Sequence, residues 1–165
     1  MVEYILDYYE RTNLQDRNTT RFVEFIIFKI LAESNRGSHI YYFLEPFAER
    51  IIKETSFGRQ LTKLEDHLLE FKSQDYFSGG DADIVERLSQ DLITKLNSSP
   101  CKVYLIGVED DGTFNPIPSS RLRNDRIERI RQRIQKEVNA TVYLIPILHG
   151  DRGVLILVAG GSNGD

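Results

Sequence analysis

Helical periodicity dominates the first 98 residues of the chain. Apolar side chains recur there at the three- and four-residue spacing of an amphipathic helix, between polar breaks and turn signals. The predicted helices cover residues 4–9, 21–34, 46–55, 59–73 and 81–96. Residues 74–81 indicate a loop with a hinge at Gly79-Gly80. Residues 39–44 stay open, because aromatic and β-branched residues favour a strand whereas Ser38 is placed to cap a helix.

The helix at residues 21–34 is apolar over more than half of its circumference. Such a helix lies in the core of a domain, or it turns one side towards a partner. We expect a core helix. A homodimer seam is the alternative, and it would place Phe22, Phe25 and Ile26 at an interface.

Strand patterns begin after residue 99. Residues 102–108 are dense in β-formers, and a turn at 110–112 predicts a hairpin with a returning strand at 113–117. Pro116 and Pro118 limit that second strand to a short edge, because proline supplies no backbone donor to a sheet.

A second hairpin is predicted at the end of the chain. Residues 141–148 and 153–159 have strand composition, and residues 149–152 form the turn between them. The unbroken apolar run at 154–158 predicts a central strand covered on both faces.

Between the two hairpins, residues 120–139 predict an arginine-rich helix with Ser119 or Ser120 as its cap. Its buried stripe would consist of Ile127, Ile130, Ile134 and Val138. The basic stripe consists of Arg126, Arg129, Arg133 and Lys136, which are spaced so that they share one flank of the helix. That flank would suit phosphates or an acidic protein. Asp125 and Glu128 are interleaved, however, and are placed to bond Arg129 and Gln132 within the helix.

These elements predict an α+β fold in which N-terminal helices pack with a small, mainly antiparallel sheet. The C-terminal order is helix, two strands, helix, two strands. We expect one domain over residues 1–165, with a helical part at 1–98, a sheet-forming part at 99–161 and a frayed tail at 162–165.

Composition narrows the class of protein. With 41% hydrophobic and 28% charged residues the chain should fold, and a net charge of −4 gives no general attraction to nucleic acid or membrane. Cys101 is the single cysteine, which rules out an internal disulfide and a cysteine-built zinc site. Acidic residues stand where a secretory signal would be basic, and no apolar run is long enough to span a bilayer. We therefore expect a soluble cytoplasmic protein.

Few residues suggest chemistry. Glu109, Asp110 and Asp111 resemble an ordinary turn more than a cation site, because the further ligands of a calcium loop are missing. The histidines lie in different elements, and His149 with Asp151 is the one pair worth naming as a base. We predict no cofactor and no metal. The glycines after residue 159 lack the following helix of a phosphate loop.

The aromatic residues Tyr41, Tyr42, Tyr76 and Phe77 cluster near predicted loops and are candidates for an interface. The leading hypothesis is a non-catalytic regulatory or protein-interaction module, with a protein partner or self-association into an oligomer. One alternative is anion or nucleic-acid binding through the basic stripe. The other is a small enzyme with a site near the turns at 109–112 and 149–152.

Overall fold

The computed structural model of the chain describes residues 69–99, 101–110 and 115–160. These residues form two α-helices and five strands of one mixed sheet, which confirms the α+β class. The predicted helices before residue 59, the open segment 39–44 and the interface candidates before residue 69 lie outside the described residues. In chain order the elements are β1 (Leu69–Lys72), α1 (Asp81–Leu96), β2 (Cys101–Ile106), β3 (Ile117–Pro118), α2 (Asn124–Val138), β4 (Thr141–His149) and β5 (Arg152–Gly160).

The strand β5 is the centre of the sheet. It pairs antiparallel with β4 along its whole length, and with β2 and β3 on its other edge. On the far side of β2, β1 pairs in parallel. All residues of β5 after Arg152 are buried, as the unbroken apolar run predicts for a central strand. The second hairpin is confirmed, and its turn begins at Gly150, whose φ of 63° suits glycine.

The prediction of a helix over residues 59–73 is wrong at its C-terminal end. Leu69–Lys72 is a strand whose residues pair with Val103 to Ile106 of β2. Phe71 and its charged neighbours alternate between the two faces of the sheet, which is the two-residue period of a strand. The predicted loop also differs, because Gln74–Phe77 forms a 3₁₀ helix capped by the Ser73 hydroxyl.

The prediction of a first hairpin is wrong at the described end of its returning strand. Residues 111–114 lie outside the described residues, and Ile117, in β3, pairs with Gly153 of β5 and not with β2. Both edges of β2 are already occupied, one by β1 and the other by β5. Only two residues of β3 pair, which fits the short strand predicted from its prolines.

The arginine-rich helix is confirmed as α2, but it begins later than predicted. Ser119–Arg121 forms a separate 3₁₀ helix, and Arg123 precedes the first residue of α2 without a side-chain cap bond. Neither Ser119 nor Ser120 is therefore the cap. Asn139 ends the helix in the left-handed conformation (φ 51°) that asparagine tolerates better than most residues.

Both helices pack on one face of the sheet. Their buried residues, among them Leu88, Leu92, Ile130 and Ile134, meet the alternate residues of β2, β4 and β5. The opposite face is buried too. The predicted cover for that face is the N-terminal helices, but α1, the one of them that is described, packs on the other face with α2. The predicted helices before residue 59 lie outside the described residues. Within the described ranges, no helix is long and apolar enough to cross a membrane.

Candidate functional site

The strands β1 and β2 are parallel, so their carboxyl ends lie at the same edge of the sheet. Beyond β2 the chain folds over the end of β1, because the Gly107 and Val108 N–H groups both donate to the Lys72 carbonyl, at 2.8 and 3.3 Å. Gly107 makes this bend with a φ of 106°, which a side chain would disfavour. The bend carries Glu109 and Asp110 to the side of Lys72.

A cleft of about 310 Å³ opens at this edge, and we call it the Lys72 cleft. Its walls come from the end of β1, the 3₁₀ helix that follows and the bend after β2. The lining residues are Glu70, Phe71, Lys72, Ser73, Tyr76, Glu109 and Asp110. Groups of both charges, together with two hydroxyl groups, therefore face one small volume.

Behind the cleft lies a group of charged side chains between α1 and the sheet, which we call the ionic cluster. Lys72 Nζ is 3.3 Å from a carboxylate oxygen of both Glu70 and Asp91, and Lys102 Nζ is 3.5 Å from Glu70 Oε2. Lys95 donates to Glu70 Oε1. Three lysines thus share two carboxylates. The lysine side chains nearest the sheet are almost fully buried, at 10% exposure for Lys72 and 6% for Lys102.

Lys72 is held from several directions. Asp91 accepts a 2.5 Å hydrogen bond from the Tyr104 hydroxyl through the same Oδ2 that pairs with Lys72. The ammonium also lies over two aromatic rings, 4.6 Å from the centre of Tyr76 and 5.4 Å from that of Tyr104. Such contacts favour a cation, because the ring faces are negative. The amine of this cleft-lining residue is therefore fixed in position.

The protonation states follow from these contacts. Burial acts to lower the pKa of Lys72, but the charges of Asp91 and Glu70 outweigh it and raise the pKa above its ordinary value. Burial acts to raise the pKa of Glu70, but the bond from Lys95 and the nearby lysines hold it below its usual range. Burial and the bond to Asp91 raise the pKa of Tyr104. At neutral pH, Lys72 is an ammonium, Glu70 a carboxylate and Tyr104 a neutral donor.

The outer rim of the cleft is tied to the rest of this edge by side-chain amides. Asn115 donates from Nδ2 to Glu109 Oε1 at 2.9 Å and accepts from Gln74 Nε2 at 2.8 Å. Arg121 donates to Gln74 Oε1 at 3.5 Å. The Asn115 backbone is fixed as well, since its N–H donates to the Gly107 carbonyl. This chain of bonds orients the Glu109 carboxylate.

Arg126, the first member of the basic stripe, is turned inward. Its side chain is 15% exposed and donates to Asp81 Oδ1 at 2.8 Å and to the Gly79 carbonyl at 2.7 Å. The guanidinium also lies 5.7 Å from the centre of the Phe77 ring. These contacts fasten the start of α2 to the start of α1, next to the predicted Gly79-Gly80 hinge. Arg126 therefore has a structural role in the described residues.

The other members of the basic stripe are exposed. Arg129 is 52% exposed and bonds Asp81 and, within the helix, Asp125. The predicted bond between Gln132 and Glu128 is present at 3.1 Å. Arg133 and Lys136 face solvent, with no ion-pair partner among the described residues. Within the described ranges, the stripe thus has two cations without an ion-pair partner, Arg129 with two carboxylate partners, and the partly buried Arg126.

The remaining candidates are dispersed. Tyr76 lines the cleft, whereas Phe77 is fully buried in the core. Glu109 and Asp110, the described residues of the first turn, lie at the same edge of the sheet as the turn at 149–152, but β3 runs between them, with the Ser119 N–H bonded to the Asp151 carbonyl. Asp111, the other two histidines and the His149 side chain lie outside the described part. Cys101 is buried, which raises its pKa to about 12.

Metal binding gains no support from the described ranges, where no group of three or more His, Cys, Asp or Glu residues is placed to hold an ion. Comparison with known proteins gives no assignment of function, which therefore has to be inferred from the geometry of the cleft. No protein-family model matches the chain, and neither the curated proteins nor the solved structures compared with it gave a match.

Sequence reasoning named Tyr76 and the turn at 109–112, which contribute to the Lys72 cleft, but it missed the charged residues of β1 and β2. A usable signal was present: Glu70 and Lys72 flank Phe71 at strand spacing, and Lys102 interrupts an otherwise apolar strand. Charged residues on the covered face of a strand require partners, because an unpaired buried charge is costly. Which partners they find depends on a pairing over more than 30 residues, and the sequence pattern did not reveal that pairing.

Proposed function

We propose that the chain is a binding module for a small anionic ligand and that the Lys72 cleft is its site. The observation that carries the proposal is the buried ammonium of Lys72, a residue that lines the cleft. Three lysines face two carboxylates in the ionic cluster, whereas Lys95 is 31% exposed and the rim adds the carboxylates of Glu109 and Asp110. A buried ammonium favours a charged partner, and an anion bound in the cleft would be such a partner for Lys72.

The protonation state of Lys72 determines how it could bind a ligand. Because its pKa is raised, the amine is protonated at neutral pH and is neither a base nor a nucleophile. It supplies a fixed charge and hydrogen-bond donors. A phosphate or carboxylate group is the chemical partner of such a donor.

The dimensions of the cleft limit the ligand. A volume of about 310 Å³ is at the small end of ordinary ligand sites, of the order of 300 to 1,000 Å³. This favours a metabolite, a mononucleotide or the end of a nucleic-acid chain over a large folded partner. The proposal moves the predicted anion site from the basic stripe, whose Arg126 is engaged internally, to the end of β1.

The test compares two lysines that share one carboxylate. Lys72 and Lys95 both pair with Glu70 Oε1, but Lys72 lines the cleft and Lys95 does not. Lys72→Met and Lys95→Met are titrated with inorganic phosphate, AMP and a short oligonucleotide, and backbone amide shifts are followed by NMR. Ser73, Gly107 and Glu109 should shift in the wild-type protein.

We expect Lys72→Met to weaken binding by about tenfold or more, the scale of a lost charge-assisted hydrogen bond, and Lys95→Met to change it far less. Urea unfolding of both variants establishes that they are folded. Equal affinities in the two variants, or no shift at these amides with any of the three probes, would refute the proposal. A preference for the oligonucleotide over AMP identifies a nucleic-acid end as the ligand, and equal binding identifies the mononucleotide.

A regulatory or protein-interaction role and an enzymatic role remain predictions. The enzyme hypothesis gains one favourable observation, because Glu109 and Asp110 line the same cleft as Lys72. Turnover of a bound phosphate ester, lost in Asp110→Asn with binding retained, would support catalysis.

A further inference from the structure

Two carboxylates of the Lys72 cleft have no cation of their own. Glu109 and Asp110 line the cleft, and in the described ranges neither forms an ion pair. The lysines of the ionic cluster form their ion pairs with Glu70 and Asp91. A ligand that carried nothing but negative charge would sit on Lys72 and be repelled from the rim.

The Glu109 carboxylate is also held in one orientation before any ligand binds. Asn115 Nδ2 donates a hydrogen bond to Glu109 Oε1. Asn115 itself accepts a bond from the Gln74 side chain, and its backbone N–H donates to the Gly107 carbonyl. A carboxylate fixed in this way loses little conformational freedom when a ligand donates to it. Asp110 is exposed and has no such support among the described residues.

We infer that Glu109 is the second recognition group of the cleft, and that the ligand is bipolar: an anionic group on Lys72 and an ammonium or hydroxyl donor on Glu109. Asn115 and Gln74 are positioning residues that act through Glu109. This inference rests on the proposed function, because it requires that Lys72 receives the anionic group.

The experiment uses two probes that differ by one charged group. Ethyl phosphate carries the anion alone, and phosphoethanolamine carries the same anion with an ammonium. Both are titrated into the full chain and into Glu109→Gln, with Glu86→Gln as the matched control on the exposed face of α1. AMP is a third probe, which offers ribose hydroxyls in place of the ammonium.

We expect the wild-type protein to bind phosphoethanolamine about tenfold more tightly than ethyl phosphate, as one added charge-assisted hydrogen bond allows. Glu109→Gln should remove that preference and leave ethyl phosphate binding unchanged or tighter, because a negative charge is gone. Glu86→Gln should keep the preference for phosphoethanolamine over ethyl phosphate. A Glu109-dependent gain with AMP identifies hydroxyl donors, and a gain confined to phosphoethanolamine identifies an ammonium; both results support the inference.

Asn115→Ala tests the positioning role. It should lower the ratio of the two affinities while ethyl phosphate binding stays constant, whereas Gln132→Ala, which removes an exposed amide of α2, should leave the ratio unchanged. A general structural defect would lower both affinities together.

The outcomes separate the two ideas. If ethyl phosphate binds through Lys72 as tightly as both phosphoethanolamine and AMP, or if the preference for either of them survives Glu109→Gln, the bipolar ligand is refuted and the anion site stands. If neither probe nor AMP binds the wild-type protein, the anion site itself is refuted, and the inference with it.

Discussion

Replacing Arg126 and Arg129 in turn should separate a structural arginine from a surface one. Both guanidinium groups bond Asp81, from the same flank of α2. Arg126 is 15% exposed and also donates to two backbone carbonyls, those of Gly79 and Arg121, whereas Arg129 is 52% exposed. In Arg126→Met the apolar stem is kept, and the hydrogen bonds and the charge are removed.

The expected cost follows from these contacts. Hydrogen bonds to charged groups contribute about 1.5 to 3 kcal/mol, and the Gly79 carbonyl would lose its charged donor. Asp81 keeps Arg129, so the loss should be smaller than for a fully buried pair. We expect Arg126→Met to lower the free energy of unfolding by about 2 kcal/mol, and Arg129→Met by less than about 1 kcal/mol, as exposed pairs do.

Urea unfolding measures both values, and an unchanged slope with urea shows that the two-state comparison is valid. Equal midpoints for the two variants would refute the reasoning. So would an Arg126→Met variant as stable as the wild type, because the bonds of Arg126 would then contribute nothing to the stability of the fold.

Two further predictions concern stability. The hydrogen bond from Arg126 holds the pKa of Asp81 below its ordinary 3.8, so the folded state binds a proton at Asp81 less readily than the unfolded state. The contribution of this bond to the free energy of unfolding is therefore complete above pH 3.8, and it is lost as the pH falls through the pKa of the folded state. The difference in unfolding free energy between wild type and Arg126→Met should therefore be larger at pH 6 than at pH 2.5, and a constant difference would contradict this. Leu88→Ala, at a fully buried position, should lower the unfolding free energy by about 3 kcal/mol, whereas Ile93→Ala, 46% exposed on the same helix, should cost less than about 1 kcal/mol in the same urea assay.

The elements that sequence reasoning found are those whose pattern is local and long. The buried stripe of α2 repeats at helical spacing over 12 residues, and Ile127, Ile130 and Ile134 are all buried. The unbroken apolar run of β5 likewise reflects burial on both faces. In both cases the environment of each residue is determined by its own element, so the pattern can be recognised without knowing its neighbours.

The failures occurred where a distant partner decides the structure. Leu61, Leu64, Leu68 and Phe71 fit a helical stripe, yet the last of them belongs to a strand because β2 pairs with that segment. A strand of four residues is too short for its alternation to outweigh such a competing pattern. The same holds for β3, whose partner is β5 and not its neighbour in sequence.

The distribution of positive charge shows why a count of cations alone favours α2. The α2 helix is rich in arginine, but an arginine side chain is also a good structural hydrogen-bond donor. Arg126 and Arg131 donate to Asp81, to Glu128 and to nearby backbone carbonyls. Lys72 is one cation between two carboxylates, and it lies at an edge where strand ends and a loop converge. Replacing a buried ionic group by apolar residues is often neutral or stabilising, so stability alone gives little reason to keep five charged side chains between α1 and the sheet. A ligand that needs a fixed ammonium at the end of β1 would give that reason, and it is why we propose the cleft as the anion site.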